Sequence, residues 1–142
     1  MRKVGIALAI LLGLFAAVGI AQFVAAESGE VVVLHTQAAG ESQETRLWIV
    51  DQEGSAWLRG RREAGWFPAL EAQPAVEVTR DDRRLPFTAV AVDAPEARDR
   101  INRAMRDKYG FADLFISWLV GDPDREGALA IRLDPRPLPP AP

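Results

Sequence analysis

The sequence predicts a mainly β domain of the α+β class: a small six-stranded barrel carrying helices, preceded by an N-terminal transmembrane helix. Three observations predict it. Residues 4–21 form a long uncharged run. Six short β-branched or alternating segments lie between residues 31 and 133. A helical pair separates the fifth of these from the sixth. The expected organisation is a signal anchor or signal peptide over 1–26, the barrel domain over 27–134, and a Pro-rich disordered tail over 135–142.

The first segment opens with Met1-Arg2-Lys3, and Val4 to Ala21 then contain no charge, hydroxyl or amide. A signal-peptide apolar region is usually about 7–15 residues, whereas about 20 span a bilayer as a helix. The run therefore reads as an anchor, with Val24-Ala25-Ala26 offering the small residues of an alternative cleavage site. Arg2 and Lys3 precede it and Glu27 and Glu30 follow it, so the positive-inside rule places the domain outside the cytoplasm under either fate.

Val31 to Thr36 is a β-branched strand, and Gln37 to Thr45 reads as a polar loop around Gly40. Arg46 to Val50 and Ser55 to Arg59 form a hairpin about Asp51-Gln52-Glu53-Gly54. Gly60 to Gly65 is a basic loop, and Trp66 to Gln73 is a short helix with Pro68 in its first turn. Val76 and Val78 alternate with Glu77 and Thr79 in a fourth strand. Asp81-Asp82 turns the chain into a fifth, Arg83 to Val92, where Leu85, Phe87, Ala89 and Ala91 share a face and Pro86 suggests an edge or a bulge.

Asp93, with Glu96 three residues on, predicts a helix start by a capping box. Ala97, Ile101, Ala104, Met105 and Tyr109 then fall on one helical stripe, and Gly110 ends the helix. Phe111 to Val120 is a second helix, apolar nearly all round. Gly127 to Leu133 is the last strand, with Leu129, Ile131 and Leu133 inward. Six strands of this length close most economically as a barrel with the helices across its openings, which removes unpaired edges.

Composition narrows the function. The chain has 142 residues, no cysteine, one histidine and a formal charge of −3. This excludes a thiolate nucleophile and a Cys-ligated zinc site, argues against a Ser-His-Asp triad or an all-histidine metal site, and gives no electrostatic case for nucleic acid. His35 reads as a packed strand residue, for no partner is identifiable. Asp81-Asp82 reads as turn chemistry. No metal site is expected.

Trp57-Leu58-Arg59-Gly60, then Gly65 to Val78, and a helix ending in Lys108-Tyr109-Gly110 resemble the split β-barrel flavin-binding superfamily. That group includes the pyridoxamine-phosphate-oxidase-like proteins and the deazaflavin-dependent nitroreductases. The resemblance covers about residues 31–133. It implies a barrel, often a homodimer, holding flavin (FMN) or deazaflavin in a cleft beside the third strand and the loop that follows. Carried over, the cofactor-binding positions are Arg59, Gly60, Arg61, Arg62 and Trp66, with Trp48 and Trp57 on neighbouring strands. It also implies an oxidoreductase that reduces a quinone-like or nitro compound.

The residues make their own case for an anion there. Arg59, Arg61 and Arg62 are the densest positive group in an acidic domain. Guanidinium forks match phosphate oxygens bidentately, and Gly60 and Gly65 let backbone N–H groups approach. Trp66 offers a flat face for an aromatic ring. Two plainer readings stand beside this: a solvated turn paired with Glu63, and an indole that plugs one end of the barrel. The alternative to an enzyme is a non-catalytic module binding a small anionic or aromatic ligand, or a partner protein through the apolar second helix.

Overall fold

A computed structural model describes residues 2–122 apart from Ser28, and residues 124–141; the side chains of Arg2 and of residues 20–27 lie outside that description, as do Met1, Ser28, Pro123 and Pro142. In chain order the elements are α1 (Arg2–Glu27), β1 (Val31–Ala38), β2 (Glu41–Gln52), β3 (Ser55–Gly60), α2 (Phe67–Ala72), β4 (Ala75–Arg80), β5 (Arg83–Val92), α3 (Pro95–Tyr109), α4 (Phe111–Leu119) and β6 (Leu129–Pro135). The strands close into an antiparallel barrel in the order β1-β2-β3-β6-β5-β4.

Alternation along the strands fills this barrel. Val32, Leu34, Ile49, Leu58, Val76, Val78, Ile131 and Leu133 point inward, and α2 adds Phe67 and Leu70 with Trp66 just ahead of it. Three hairpins set the register. Each turns on two residues with positive φ: Ala39 and Gly40, Glu53 and Gly54, Asp81 and Asp82. Both central residues of a type I′ turn need that conformation, and its twist matches the flanking strands.

The first of these hairpins departs from the sequence reading. Gln37 to Thr45 is not a loop; both strands run on to the turn, with Ala38 opposite Glu41. Residues 37–44 are exposed on both faces. No apolar side is buried there, so the alternation that marks a strand is missing.

α3 does not lie across an opening of the barrel. Its stripe Ala97, Ile101, Ala104, Met105 and Tyr109 packs on the outer wall, against Val50, Trp57 and Ala130. Outward positions of β2, β3 and β6 are apolar there because a helix covers them. The helix starts without the expected cap: Ala94 occupies the N-cap position with no side-chain bond, and Asp93 instead accepts from Arg62 at 2.6 Å. β6 also runs further than expected, to Pro135. Arg136 then ties the start of the tail to the carbonyls of Phe87 (2.9 Å) and Val76 (3.1 Å).

α1 is a helix, as expected, and its described apolar side chains are all exposed. Among the described residues, however, no helix is long and apolar enough to cross a membrane. The expected cleavage site, Val24-Ala25-Ala26, lies in the part of α1 whose side chains are outside the description.

Just after α1, Glu30 enters a polar clamp. Arg80 donates to it from Nε at 2.7 Å, and also to Asp51 from Nη2 at 2.7 Å. Lys108 Nζ donates to Glu30 at 2.6 Å and to the Ile49 carbonyl at 2.8 Å. The Tyr109 hydroxyl donates to the Glu30 carbonyl at 2.6 Å and accepts from the Ile49 N–H at 3.0 Å. β1 begins opposite Trp48, so Ile49 has no β1 partner. The Lys108-Tyr109 pair supplies one instead.

Candidate functional site

Strand alternation sends Leu58 into the barrel and Arg59 outward, beneath α3 and α4. There Arg59 is 7% exposed and reaches Asn102 at 3.5 Å and Asp113 through Nη2. Asp113 is fully buried, and Arg106 Nε donates to its other oxygen at 2.9 Å. One turn on, Ser117 Oγ donates to the Asp113 carbonyl at 2.6 Å and accepts from Arg125 Nε at 2.7 Å. Arg125 Nη2 stands 3.9 Å from Asp113. Three guanidinium groups therefore share one carboxylate.

That arrangement perturbs both charges. Burial would raise the Asp113 carboxyl, but hydrogen bonds from Arg59 and Arg106 outweigh it and hold the group below the usual carboxylate range. Burial, reinforced by the nearby Arg59 charge, pushes Arg125 down to about 10. Its backbone is in the left-handed region at φ +54°, uncommon for a residue with a side chain. Asn102 holds it there by donating to the Arg125 carbonyl at 3.1 Å.

A lowered carboxyl fixes the sign of a pH effect. The unfolded chain binds protons to Asp113 near the ordinary value of about 3.9, the folded chain only below that. The stabilisation is present above the unfolded value and is lost as pH falls through the folded one. Arg80 lowers Glu30 and Asp51 in the same direction. Unfolding followed by circular dichroism is therefore expected to show stability level down to about pH 5 and falling below it. A profile flat to pH 2 is the contrary result.

Beside this cluster lies a cleft of about 740 Å³, bordered by Val31, Arg46, Leu47 and Trp48, by Arg59, Gly60, Arg61, Glu63 and Ala64 around the basic loop, and by Trp66, Ile116 and Arg125. Its size falls within the ordinary range of small-molecule sites. Arg61 is half-exposed at the rim, 3.7 Å from Glu63 and 3.8 Å from Asp122. Gly60 forms part of the floor: a Cβ there would stand 2.6 Å from the Trp66 ring, so only glycine lets the indole settle.

Of the sequence-predicted positions, the structure brings Arg59, Gly60, Arg61, Trp48 and Trp66 around this cleft. It places Arg62 and Trp57 elsewhere. Arg62 turns to Asp93. Trp57 is buried beneath α3, with Arg100 over its ring at 5.3 Å and its Nε1 donating to the Gln52 carbonyl. Trp66 is only 7% exposed and meets Phe67 edge-on, so it closes the cleft floor rather than presenting an open ring face. Trp48 stacks on Tyr109 at 4.3 Å with one face and keeps other surface toward the cleft. His35 is a buried strand residue bonded to Thr79 at 2.8 Å.

Asp113, Ile116 and Arg125 were not singled out from the sequence. Asp113 and Ser117, four residues apart in an otherwise apolar helix, carried a usable signal: one polar stripe. Arg125, in a short polar loop, carried none.

No protein-family model matches the sequence, and no curated protein does. Solved structures do match. One is a putative pyridoxamine 5′-phosphate oxidase from Listeria innocua, at 14% identity over 81% of this chain and 90% of that one, with a TM-score of 0.59. The chain has the split-barrel fold. A reductase dependent on reduced F420 matches this split barrel at 19% identity over 72% of this chain and 92% of its own, TM-score 0.53. HutZ, a heme storage protein from Vibrio cholerae, matches at 16% identity over 80% and 87%, TM-score 0.59.

Proposed function

We propose that this chain is a membrane-tethered, extracytoplasmic split-barrel protein of oxidoreductase type that binds flavin (FMN) or deazaflavin and reduces a quinone-like or nitro compound. The surplus of guanidinium on the cleft carries the reading. Arg59, Arg61 and Arg125 line it. Arg59 and Arg125 share one buried carboxylate, Asp113. An anionic group entering the cleft would complete that balance.

The residues present fit such a cofactor. The cleft has the volume for a tricyclic ring system, and its charged border suits a phosphate end. When bound, a flavin or deazaflavin supplies hydride or electron transfer. Arg61 is the most accessible of the three arginines and reaches the phosphate first; Arg125 and Arg59, fixed by Ser117 and Asp113, present a preorganised positive wall that needs no rearrangement. Trp48, Trp66 and Ile116 supply the apolar part of the lining, which would hold an aromatic ring and exclude water from it. The heme of the HutZ match is less well served: the sole histidine, His35, is bonded to Thr79 away from the cleft lining.

Tethering is supported by the uncharged run Val4 to Ala21 of α1, with Arg2 and Lys3 ahead of that run and Glu27 and Glu30 after it. A C-terminal reporter active only outside the cytoplasm is the expected result.

The test is the colour of the full chain purified in detergent from a host that makes both cofactors. The oxidised rings absorb in the near-ultraviolet and visible. Arg61→Ala is expected to weaken FMN binding about 10- to 100-fold, the loss of a charged hydrogen bond worth about 1.5–3 kcal/mol. Riboflavin, lacking the phosphate, should bind both forms alike. A colourless chain that takes up neither FMN nor deazaflavin sinks the reading.

A further inference from the structure

α4 is inside out. Its polar side chains, Asp113 and Ser117, are fully buried against Arg59 and Arg125, while Phe111, Leu114, Phe115 and Trp118 fall at i, i+3, i+4 and i+7 on the opposite side. Phe111 is 71% exposed and Trp118 70%, and Leu119 and Val120 continue the same apolar surface. Phe111 and Phe115 stack on each other at 5.9 Å, which holds the face together as one patch. A water-facing helix has the reverse pattern.

Two further observations say what covers it. α1 packs against α4, and the apolar side chains of α1 that are described, residues 4–19, are exposed on every side. Lipid covers every side of an apolar helix at once. The one charged residue of α4, Asp113, is turned inward and paired, so its outer face carries no charge.

We infer that α4 docks on the bilayer surface, its Phe111–Trp118 face sunk among the acyl-chain ends beside α1. Trp118 supplies the amphipathic indole that favours this depth. Ile116 of α4 borders the cleft, as does Val31, which begins β1 four residues past α1, so the cleft adjoins the helix that docks. The reactant that meets the cofactor is accordingly a lipid-dissolved aromatic one that enters sideways from the membrane. This rests on the tethered, cofactor-binding reading above.

The test uses the full chain in phosphatidylcholine vesicles, some of whose lipid is brominated on the acyl chains near the headgroup. Native chain is compared with Trp118→Phe. The brominated lipid is expected to remove most of the emission that Trp118 contributes, and iodide in the water little of it. Quenching by iodide instead overturns the inference. So does protection from both quenchers together with a dimer mass in detergent that Trp118→Ser abolishes, which assigns the face to a second copy. Flotation with the vesicles and the colour of the chain are read on the same samples. A chain that floats without lipid quenching loses this docking surface and keeps its tether. One that floats, is quenched and is colourless keeps the docking surface and loses the cofactor. One that fails to float loses both tether and docking.

Discussion

Asp113→Asn is expected to cost about 3–5 kcal/mol of stability, the effect of removing one partner from a buried ion cluster. The carboxylate is fully buried and receives Arg59 and Arg106 directly, with Arg125 at 3.9 Å. Asparagine keeps the shape and one acceptor oxygen but turns an amide N–H₂ toward a guanidinium. Arg59 and Arg125 are nearly enclosed and cannot relax into water. Arg106 is half-exposed, so Arg106→Ala should cost much less, since that charge already reaches solvent. Denaturant unfolding of the full chain in detergent, read by near-ultraviolet circular dichroism, measures both. A loss below about 1 kcal/mol for Asp113→Asn would show that the arginines find other partners.

Tyr109→Phe is expected to cost about 2–3 kcal/mol. The hydroxyl is buried between two backbone groups, donating to the Glu30 carbonyl and accepting from the Ile49 N–H. Phenylalanine keeps the stack on Trp48 but leaves both groups without a protein partner, and an unsatisfied buried group costs about 1–3 kcal/mol. Because the ring is conserved by the change, the loss isolates the hydroxyl. Amide hydrogen exchange at Ile49 should accelerate with it. Unchanged exchange there, with stability within about 0.5 kcal/mol of native, is the opposite result.

The barrel and the succession of its six strands along the chain were legible because one side of most strands is buried. Val76 and Val78, or the five-residue stripe of α3, announce a face by their spacing. Where neither face is buried, as at the β1–β2 tip, the same strand geometry leaves no trace in the pattern. The capping box at Asp93 failed for a competitive reason: Arg62, thirty-one residues away in sequence, offers that carboxylate a charged partner. At the site, the arginines of the β3 end were visible as a local cluster, but their division of labour was not. Arg59 is committed to Asp113 from another helix, Arg62 leaves the cleft, and Arg125 arrives from a loop far along the chain. Composition located the positive charge, while only the tertiary fold decided which groups share it. α4 was readable as apolar; that it faces outward depends on Asp113 meeting Arg59.

The clamp at Glu30 has a mechanical consequence. β1 closes the barrel against β4 through Val33, Leu34 and His35, a short seam directly downstream of α1. Any tension arriving along α1 would load that seam first if residue 30 were unattached. Because Glu30 grips Arg80 of β4 and Lys108 of α3, the pull is shared between the strand on the far side of the seam and the helix bracing the wall. Thermal jostling of the leading helix is thus absorbed as shear along strongly held elements, and the closing strand is spared from being peeled away.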